Sequence, residues 1–143
     1  MLVYFEKATG AITKVIDYLY EPTPPEEGED VLVTFVEHGS NATTMRVDLA
    51  TKMLVAKSAV IFSADRYEIN PDESIVLSIA YEGEQFGETW PLMVGGDTLL
   101  HVPYSETAIQ ITIGLPGVYN LWVPDGRIYY IPRTITVRED LSS

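Results

Sequence analysis

At residues 109–123 the chain reads IQITIGLPGVYNLWV, and this stretch decides the fold. Isoleucine occupies every second position from 109 to 113, with polar residues between, which is the pattern of a half-buried strand. A turn sequence follows at 115–117, and large apolar residues again occupy every second position from 119 to 123. The stretch therefore predicts two short strands joined by a tight turn.

The same two-residue period recurs at 75–81 and 134–137. Turn-forming residues separate the apolar runs at short intervals, for example at 82–84 and 95–97. No stretch keeps the spacing of an amphipathic helix over about 11 residues. Short strands at this spacing predict an all-β chain built as a sandwich or barrel.

The charge balance excludes several classes of partner. The 143 residues include 9 Lys and Arg against 21 Asp and Glu, for a formal net charge of −12. Nucleic acids and anionic membranes are bound by clustered basic residues, so neither is an expected partner. The chain has no cysteine and no apolar run of about 18 residues, so we expect no thiolate site and no membrane span.

No constellation for catalysis, cofactor binding or metal binding stands out. His38 and His101 are far apart in the chain, and neither belongs to a two-histidine ligand motif. Glu82 and Glu88 flank an aromatic stretch, which leaves a small hydrolase as a remote hypothesis. We therefore predict a non-enzymatic protein with no cofactor and no metal.

Contact residues are predicted at two places. On the strand at 118–123, Val118 and Trp122 fall on the face opposite the predicted core residues, and Trp90 is a second candidate anchor, because tryptophan is enriched at protein interfaces. A proline-rich loop over 20–30 holds five carboxylates and is either a spacer or an acidic arm. The contact residues predicted on this arm are Tyr20, Glu26, Glu27 and Asp30. The alternative function, a carbohydrate-binding module, would use Trp90, Trp122 and Tyr129 or Tyr130 as stacking platforms.

A weak repeat lies in the first part of the chain. Residues 5–12 align with residues 47–54, since each has an apolar residue and a carboxylate before Ala-Thr and an apolar residue after it. Both segments predict hairpin turns, in which Gly10 or Lys52 takes the tight position with positive φ.

The segment 115–121 resembles the Gly-x-Tyr corner that begins strand F of immunoglobulin-like sandwiches. The resemblance implies that the Tyr119 hydroxyl bonds backbone upstream and that Leu121 replaces the core cysteine of antibody domains. The fold expected is all-β, with an N-terminal β-hairpin segment over 1–63 and an immunoglobulin-like β-sandwich over 64–143.

Residues 3–10 and 46–55 resemble hairpins of small accessory structural proteins of tailed bacteriophages, although Lys52 stands where those proteins have a second glycine. This resemblance implies a virion component made in the bacterial host cytoplasm, such as a capsid decoration, a connector or a tail-associated subunit. Its expected partners are other virion proteins, with many copies in a homo-oligomer or symmetric lattice.

Overall fold

The computed structural model describes residues 2–16, 24–33 and 44–139. Within these ranges every regular element is a β-strand, and no helix is present that could cross a membrane. The chain forms two compact units. The N-terminal unit comprises Met1–Lys57 together with Asp125–Tyr129, and the sandwich unit comprises Ser58–Pro124 and Tyr130–Ser143.

The N-terminal unit consists of a three-stranded sheet and a separate hairpin. Its strands are β1 (Leu2–Glu6), β2 (Ile12–Ile16), β3 (Glu29–Val33), β4 (Met45–Asp48) and β5 (Met53–Ala56). The sheet has the antiparallel order β2-β1-β3, and β4 pairs with β5. The two predicted hairpins are confirmed as β1-β2 and β4-β5. They share one apolar cluster, formed by Val3, Phe5, Val47, Ile12, Leu32, Leu49 and Leu54.

The two hairpin turns show why the repeat keeps glycine at one position and loses it at the other. Gly10 and Lys52 both have positive φ, +83° and +57°, as predicted. A Cβ on Gly10 would lie 2.0 Å from the Val47 carbonyl oxygen, and the Val47 N–H donates a hydrogen bond to the Gly10 oxygen at 2.9 Å. Lys52 is exposed and places its Nζ 5.5 Å from the centre of the Phe5 ring. The first turn therefore needs glycine for space as well as for φ, whereas the second tolerates a side chain at a strain of about 1 kcal/mol.

The remaining strands form the two sheets of a sandwich. They are β6 (Ser58–Ser63), β7 (Glu68–Ile69), β8 (Ser74–Glu82), β9 (Thr89–Val94), β10 (Thr98–Pro103), β11 (Ala108–Thr112), β12 (Gly117–Trp122), β13 (Ile128–Tyr130) and β14 (Arg133–Val137). One sheet has the order β10-β9-β12-β14-β7, and the other has the order β11-β8-β6-β13. All the pairings recorded between these strands are antiparallel except β14 with β7.

The two sheets confirm the predicted all-β sandwich class, and their strand order can be compared with that of immunoglobulin domains. The β10-β9-β12-β14 series matches strands C′, C, F and G, and β11-β8-β6 matches E, B and A. The Tyr119 hydroxyl donates a hydrogen bond to the Leu115 carbonyl oxygen at 2.7 Å, so the predicted tyrosine corner is formed. Side chains at most 2 % exposed fill the space between the sheets, including those of Phe62, Ile69, Leu77, Trp90, Leu92, Leu121 and Ile135.

The sequence places the boundary between the two parts near residues 58–65, with the sandwich segment counted from 64, and the second unit of the structure begins at Ser58. The reason is long-range pairing: β6 runs antiparallel to β8, with Phe62 opposite Ile79. In addition, Asp125–Tyr129 belongs to the N-terminal unit although it lies between two strands of the later part of the chain.

Candidate interaction surfaces

Strand β12 presents two different faces, as its alternating sequence predicted. Leu121 is fully buried, and Val123, just beyond the strand, is 4 % exposed. The intervening side chains point to the outer surface of the five-stranded sheet. Val118 is 67 % exposed and Trp122 is half-buried. Both predicted contact residues on this strand are therefore accessible from outside the sandwich.

The strands beside β12 extend this outer surface. Residues paired across antiparallel strands lie on the same face of a sheet, so the pairing register places a set of outward side chains side by side. We call this set the Trp122 face; it consists of Thr89, Pro91, Met93, Leu99, His101, Pro103, Val118, Asn120, Trp122, Thr134 and Thr136. None of these residues is Asp, Glu, Lys or Arg.

An apolar row crosses the Trp122 face. Met93 is paired with Leu99 on one side and with Trp122 on the other, and Cβ atoms of such opposed residues are about 5 Å apart. The indole N–H of Trp122 donates a hydrogen bond to the Gly95 carbonyl oxygen at 3.0 Å. Because its polar edge is bonded within its own sheet, the ring is held in place and a partner that covers it need not provide an acceptor.

Most carboxylates of the sandwich lie at its ends; Glu68 of β7 is an exception, since it is exposed, is paired with Thr136 at the margin of the Trp122 face and accepts a hydrogen bond from Arg138 at 2.8 Å. Among residues 70–124 of the structure, every Asp and Glu is in a turn or at the last position of a strand, which is where Glu82 ends β8. The outer face of the β11-β8-β6 sheet carries Glu82 at its end, and apart from Ile61 and Val76 its other side chains are mainly small or polar, such as Ser78 and Ala80. The Trp122 face thus has the larger apolar side chains of the two.

Trp90 does not belong to either outer surface, which corrects its prediction as a contact residue. Its side chain is 0 % exposed and packs against Phe62 and Tyr81, with ring centres 6.2 and 6.5 Å away. Strand β9 has apolar residues at every position from Trp90 to Val94, so its period could not show which face is the core. With Trp90 buried, the carbohydrate alternative loses one platform, and Trp122 is the single aromatic residue of the Trp122 face.

The proposed acidic arm is shorter than the sequence suggested. Glu26 and Glu27 are exposed beside a turn, but Asp30 lies in β3, opposite Phe5, and is half-buried. Its Oδ1 accepts a hydrogen bond from the Val31 N–H at 2.8 Å. Asp30 is therefore part of the sheet, and Tyr20 lies outside the described residues.

Glu29, the first residue of β3, is held in the same sheet. Its carboxylate accepts hydrogen bonds from the Thr13 hydroxyl and from the Glu26 backbone N–H. These two bonds lower the pKa of the Glu29 carboxyl below the ordinary value. Its carboxylate form is thus favoured by specific donors.

A second charged cluster lies in the N-terminal unit. Arg127 donates two side-chain hydrogen bonds to the Asp125 carboxylate, at 3.0 and 2.9 Å, and its backbone N–H adds a third at 3.0 Å. Burial raises the pKa of the Asp125 carboxyl, but the bonds and charge of Arg127, with the charge of Lys57, outweigh it and lower the pKa below the ordinary 3.8. Burial also lowers the pKa of Lys57, against the opposing charge of Asp125. The cluster is a structural ion pair.

Residues considered for chemistry stay apart. Glu82 and Glu88 are both exposed, and His101 is exposed on β10; His38 lies outside the described residues. Over residues 2–16, 24–33 and 44–139 no three His, Asp or Glu side chains converge in a way that could hold a metal ion.

The order of motifs in the sequence carries a signal for the burial of Trp90. Immunoglobulin domains bury a tryptophan on strand C, ahead of the tyrosine corner of strand F. Trp90, upstream of the Gly117-Val118-Tyr119 corner, fits that order, which indicates a core position.

No protein-family model, no curated protein and no solved structure was found to match this chain.

Proposed function

We propose that this chain is a non-enzymatic structural subunit of a tailed-phage virion that acts through protein–protein contacts. The observation that carries the proposal is the Trp122 face, an uncharged surface with an apolar row on a chain of net charge −12. Centres of protein interfaces are depleted of charged residues and enriched in tryptophan and methionine. The hairpins that resemble those of phage accessory proteins supply the class of assembly.

The size of the Trp122 face favours an assembly with many copies. Four strands are about 19 Å wide and five residues are about 17 Å long, so the flat area is about 300 Å². Stable interfaces bury roughly 800 Å² on each partner. A single contact of this size is weak, but many copies on a symmetric particle bind through their combined contacts.

The acidic ends of the sandwich fit such crowding. Like charges at the turns keep neighbouring copies from associating at random and keep the protein soluble. The Trp122 face, which has the Glu68–Arg138 ion pair at its margin, remains as the surface where a neighbour can pack against the uncharged outward side chains of four strands. This arrangement favours a particle surface over a lining that contacts DNA.

The test is association with the native particle. Trp122→Ala should keep the fold and weaken particle association by at least about 2 kcal/mol, roughly thirty-fold in Kd, because central tryptophans dominate interface energies. Val76→Ala, on the outer face of β8 in the other sheet, is the matched control. Copies per particle are counted by electron microscopy and gel densitometry. Equal occupancy of Trp122→Ala and wild type would rule out this surface.

A further inference from the structure

The two sheets of the sandwich unit leave a cleft of about 430 Å³ between their edge strands. Strand β10 is at the edge of one sheet, with β9 as its neighbour, and β11 is at the edge of the other, with β8 as its neighbour. The walls include Leu100 from β10, residues 110–115, and Tyr119 from β12. A space of this volume is in the range of specific binding pockets.

The walls show which strand edge is open. From β10, Thr98 and Leu100 contribute, which are alternate residues of one face. From β11 and the segment after it, residues 110–115 all contribute, without a gap. Side chains of a strand alternate between faces, so consecutive residues can line one space only if the backbone edge itself borders it. Within β11 this holds for Gln110, Ile111 and Thr112, so the cleft borders the free edge of the second half of this strand.

This edge has none of the features that prevent pairing. Strand β11 pairs with β8 over five consecutive residues without a bulge, and it contains no proline and no charged residue. Native edge strands are usually protected from addition of a further strand by charge, proline or a bulge. By contrast, β10 ends in Pro103, which lacks a backbone donor.

The tyrosine corner fixes the loop at the mouth of the cleft. Leu115 lines the cleft and is 73 % exposed. Its carbonyl oxygen accepts the 2.7 Å hydrogen bond from the Tyr119 hydroxyl, so the loop that carries it is fixed against β12. An exposed apolar side chain on a backbone that is already fixed can be covered without the cost of ordering the loop.

The charge around the cleft has one sign. The sequence has no Lys or Arg from Tyr67 to Gly126, a span that includes all the strands from β8 to β12. Asp97 lines the cleft, and a Cβ on Gly114 would lie 2.7 Å from Asp72 Oδ1, so a second carboxylate is beside the wall. An extended segment bound here meets carboxylates and no basic side chain from these strands.

We propose that this cleft binds an extended segment of another protein, added as a strand to the edge of β11. Alternate apolar side chains of the segment enter the cleft against Leu100 and Leu115, and its Lys or Arg residues lie near Asp72 and Asp97. Main-chain hydrogen bonds provide affinity and the alternate side chains provide specificity, as in other cases of strand addition. A second copy of this chain is disfavoured as the occupant, since two chains of −12 repel each other.

The inference rests on the proposed function in that the chain acts by binding proteins, but it concerns a different surface. The probe is a set of short acetylated peptides in which Val or Ile alternates with Thr and both ends carry Lys. Each is titrated into the full chain labelled with ¹⁵N, and amide shifts and hydrogen exchange are followed. We expect saturable binding, with new protection of amides in Ala108–Thr112.

Matched peptides and variants separate the contributions. A peptide N-methylated at alternate amides should bind at least about tenfold more weakly than the unmethylated peptide, because it cannot pair along one edge. A peptide with Glu in place of Lys at its ends should also bind more weakly than the Lys peptide. Leu115→Ser should weaken binding, whereas Val76→Ser, on the outer face of β8, should not. The inference is overturned if no peptide saturates below about 1 mM, if N-methylation has no effect, if the protected amides lie away from β11, or if the chain protects β11 by self-association.

The two proposals fail in distinguishable ways. Trp122→Ala should lower particle association while leaving peptide affinity unchanged, and Leu115→Ser should lower peptide affinity. If no peptide binds while Trp122→Ala still reduces occupancy, strand addition is wrong and the proposed function stands. If the peptides bind as expected while Trp122→Ala keeps full occupancy, the cleft stands and the Trp122 face is not the particle contact.

Discussion

The close approach of the two N-terminal hairpins gives a prediction with an internal control. Gly10 and Gly28 have nearly identical positive φ angles, +83° and +82°. A Cβ on Gly10 would lie 2.0 Å from the Val47 oxygen, whereas a Cβ on Gly28 would have no atom within 4 Å. Alanine at either position therefore meets the same backbone strain, but only at Gly10 does it also meet a steric overlap.

The magnitudes follow from these geometries. A left-handed alanine costs about 1–2 kcal/mol, of which about 0.4–1 kcal/mol is offset by the stiffer unfolded chain. We expect Gly28→Ala to cost about 1 kcal/mol. At Gly10 the backbones must also separate, which loses the 2.9 Å hydrogen bond from Val47, about 1 kcal/mol, and adds overpacking of about 1–3 kcal/mol. We expect Gly10→Ala to cost about 3–5 kcal/mol.

The assay is urea unfolding followed by far-ultraviolet circular dichroism, with hydrogen exchange of the Val47 amide as a local measurement. Both tryptophans lie in the sandwich unit, so their fluorescence does not report on this hairpin pair. Gly10→Ala should lower the free energy of unfolding of the N-terminal unit by at least about 2 kcal/mol more than Gly28→Ala and should speed exchange at Val47. Equal costs for the two variants would refute the close approach as the reason for glycine.

Three further predictions test the sandwich and the ion pair. Tyr119→Phe removes the hydrogen bond to Leu115 and should destabilise the sandwich by about 1 kcal/mol, measured by tryptophan fluorescence in urea; no change would mean that the corner adds nothing to stability. Trp90→Ala should cost about 3–5 kcal/mol. Trp90→Phe should cost much less, because the indole N–H that it removes is buried and has no hydrogen-bond partner among the described residues; equal unfolding midpoints for the two variants would contradict this. The lowered pKa of Asp125 means that its pairing with Arg127 stabilises the fold above the ordinary value of 3.8 and that this contribution disappears as pH falls through the lower folded value. When the pH is lowered through this range, the free energy of unfolding should therefore fall less for Asp125→Asn than for wild type. If the free energies of unfolding of the two proteins fall equally with pH, the ion pair is not linked to folding.

Several features were accessible from sequence because they depend on neighbours in the chain. The tyrosine corner joins residues four apart, so the pattern around Gly117 was sufficient to predict the bond from Tyr119 to Leu115. The same holds for the positive φ of Gly10 and Lys52, each set by a short hairpin turn. The outward direction of Val118 and Trp122 followed from the two-residue period of one strand.

Other features required strand pairing. Strand β6 belongs to the sandwich because it pairs with β8, which follows only after β7 in the chain. The sequence pattern of β6 does not show this pairing. The acidic arm ends before Glu29, because β3 pairs with β1 and takes Asp30 into the sheet. The row of Leu99, Met93 and Trp122 exists only through register across three strands.

The sequence by itself determined the all-β class, the two hairpins, the tyrosine corner and the acidic surface, since each depends on composition or on contacts within a few residues. Only the tertiary structure decided that Trp90 is in the core and that β10 and β11 border an open cleft. Strand β9 is apolar on both faces, so its burial is set by the partner sheet. Likewise, β10 and β11 are edge strands because each pairs with another strand on one side only. Which strands end up at the edges depends on how distant parts of the chain pair.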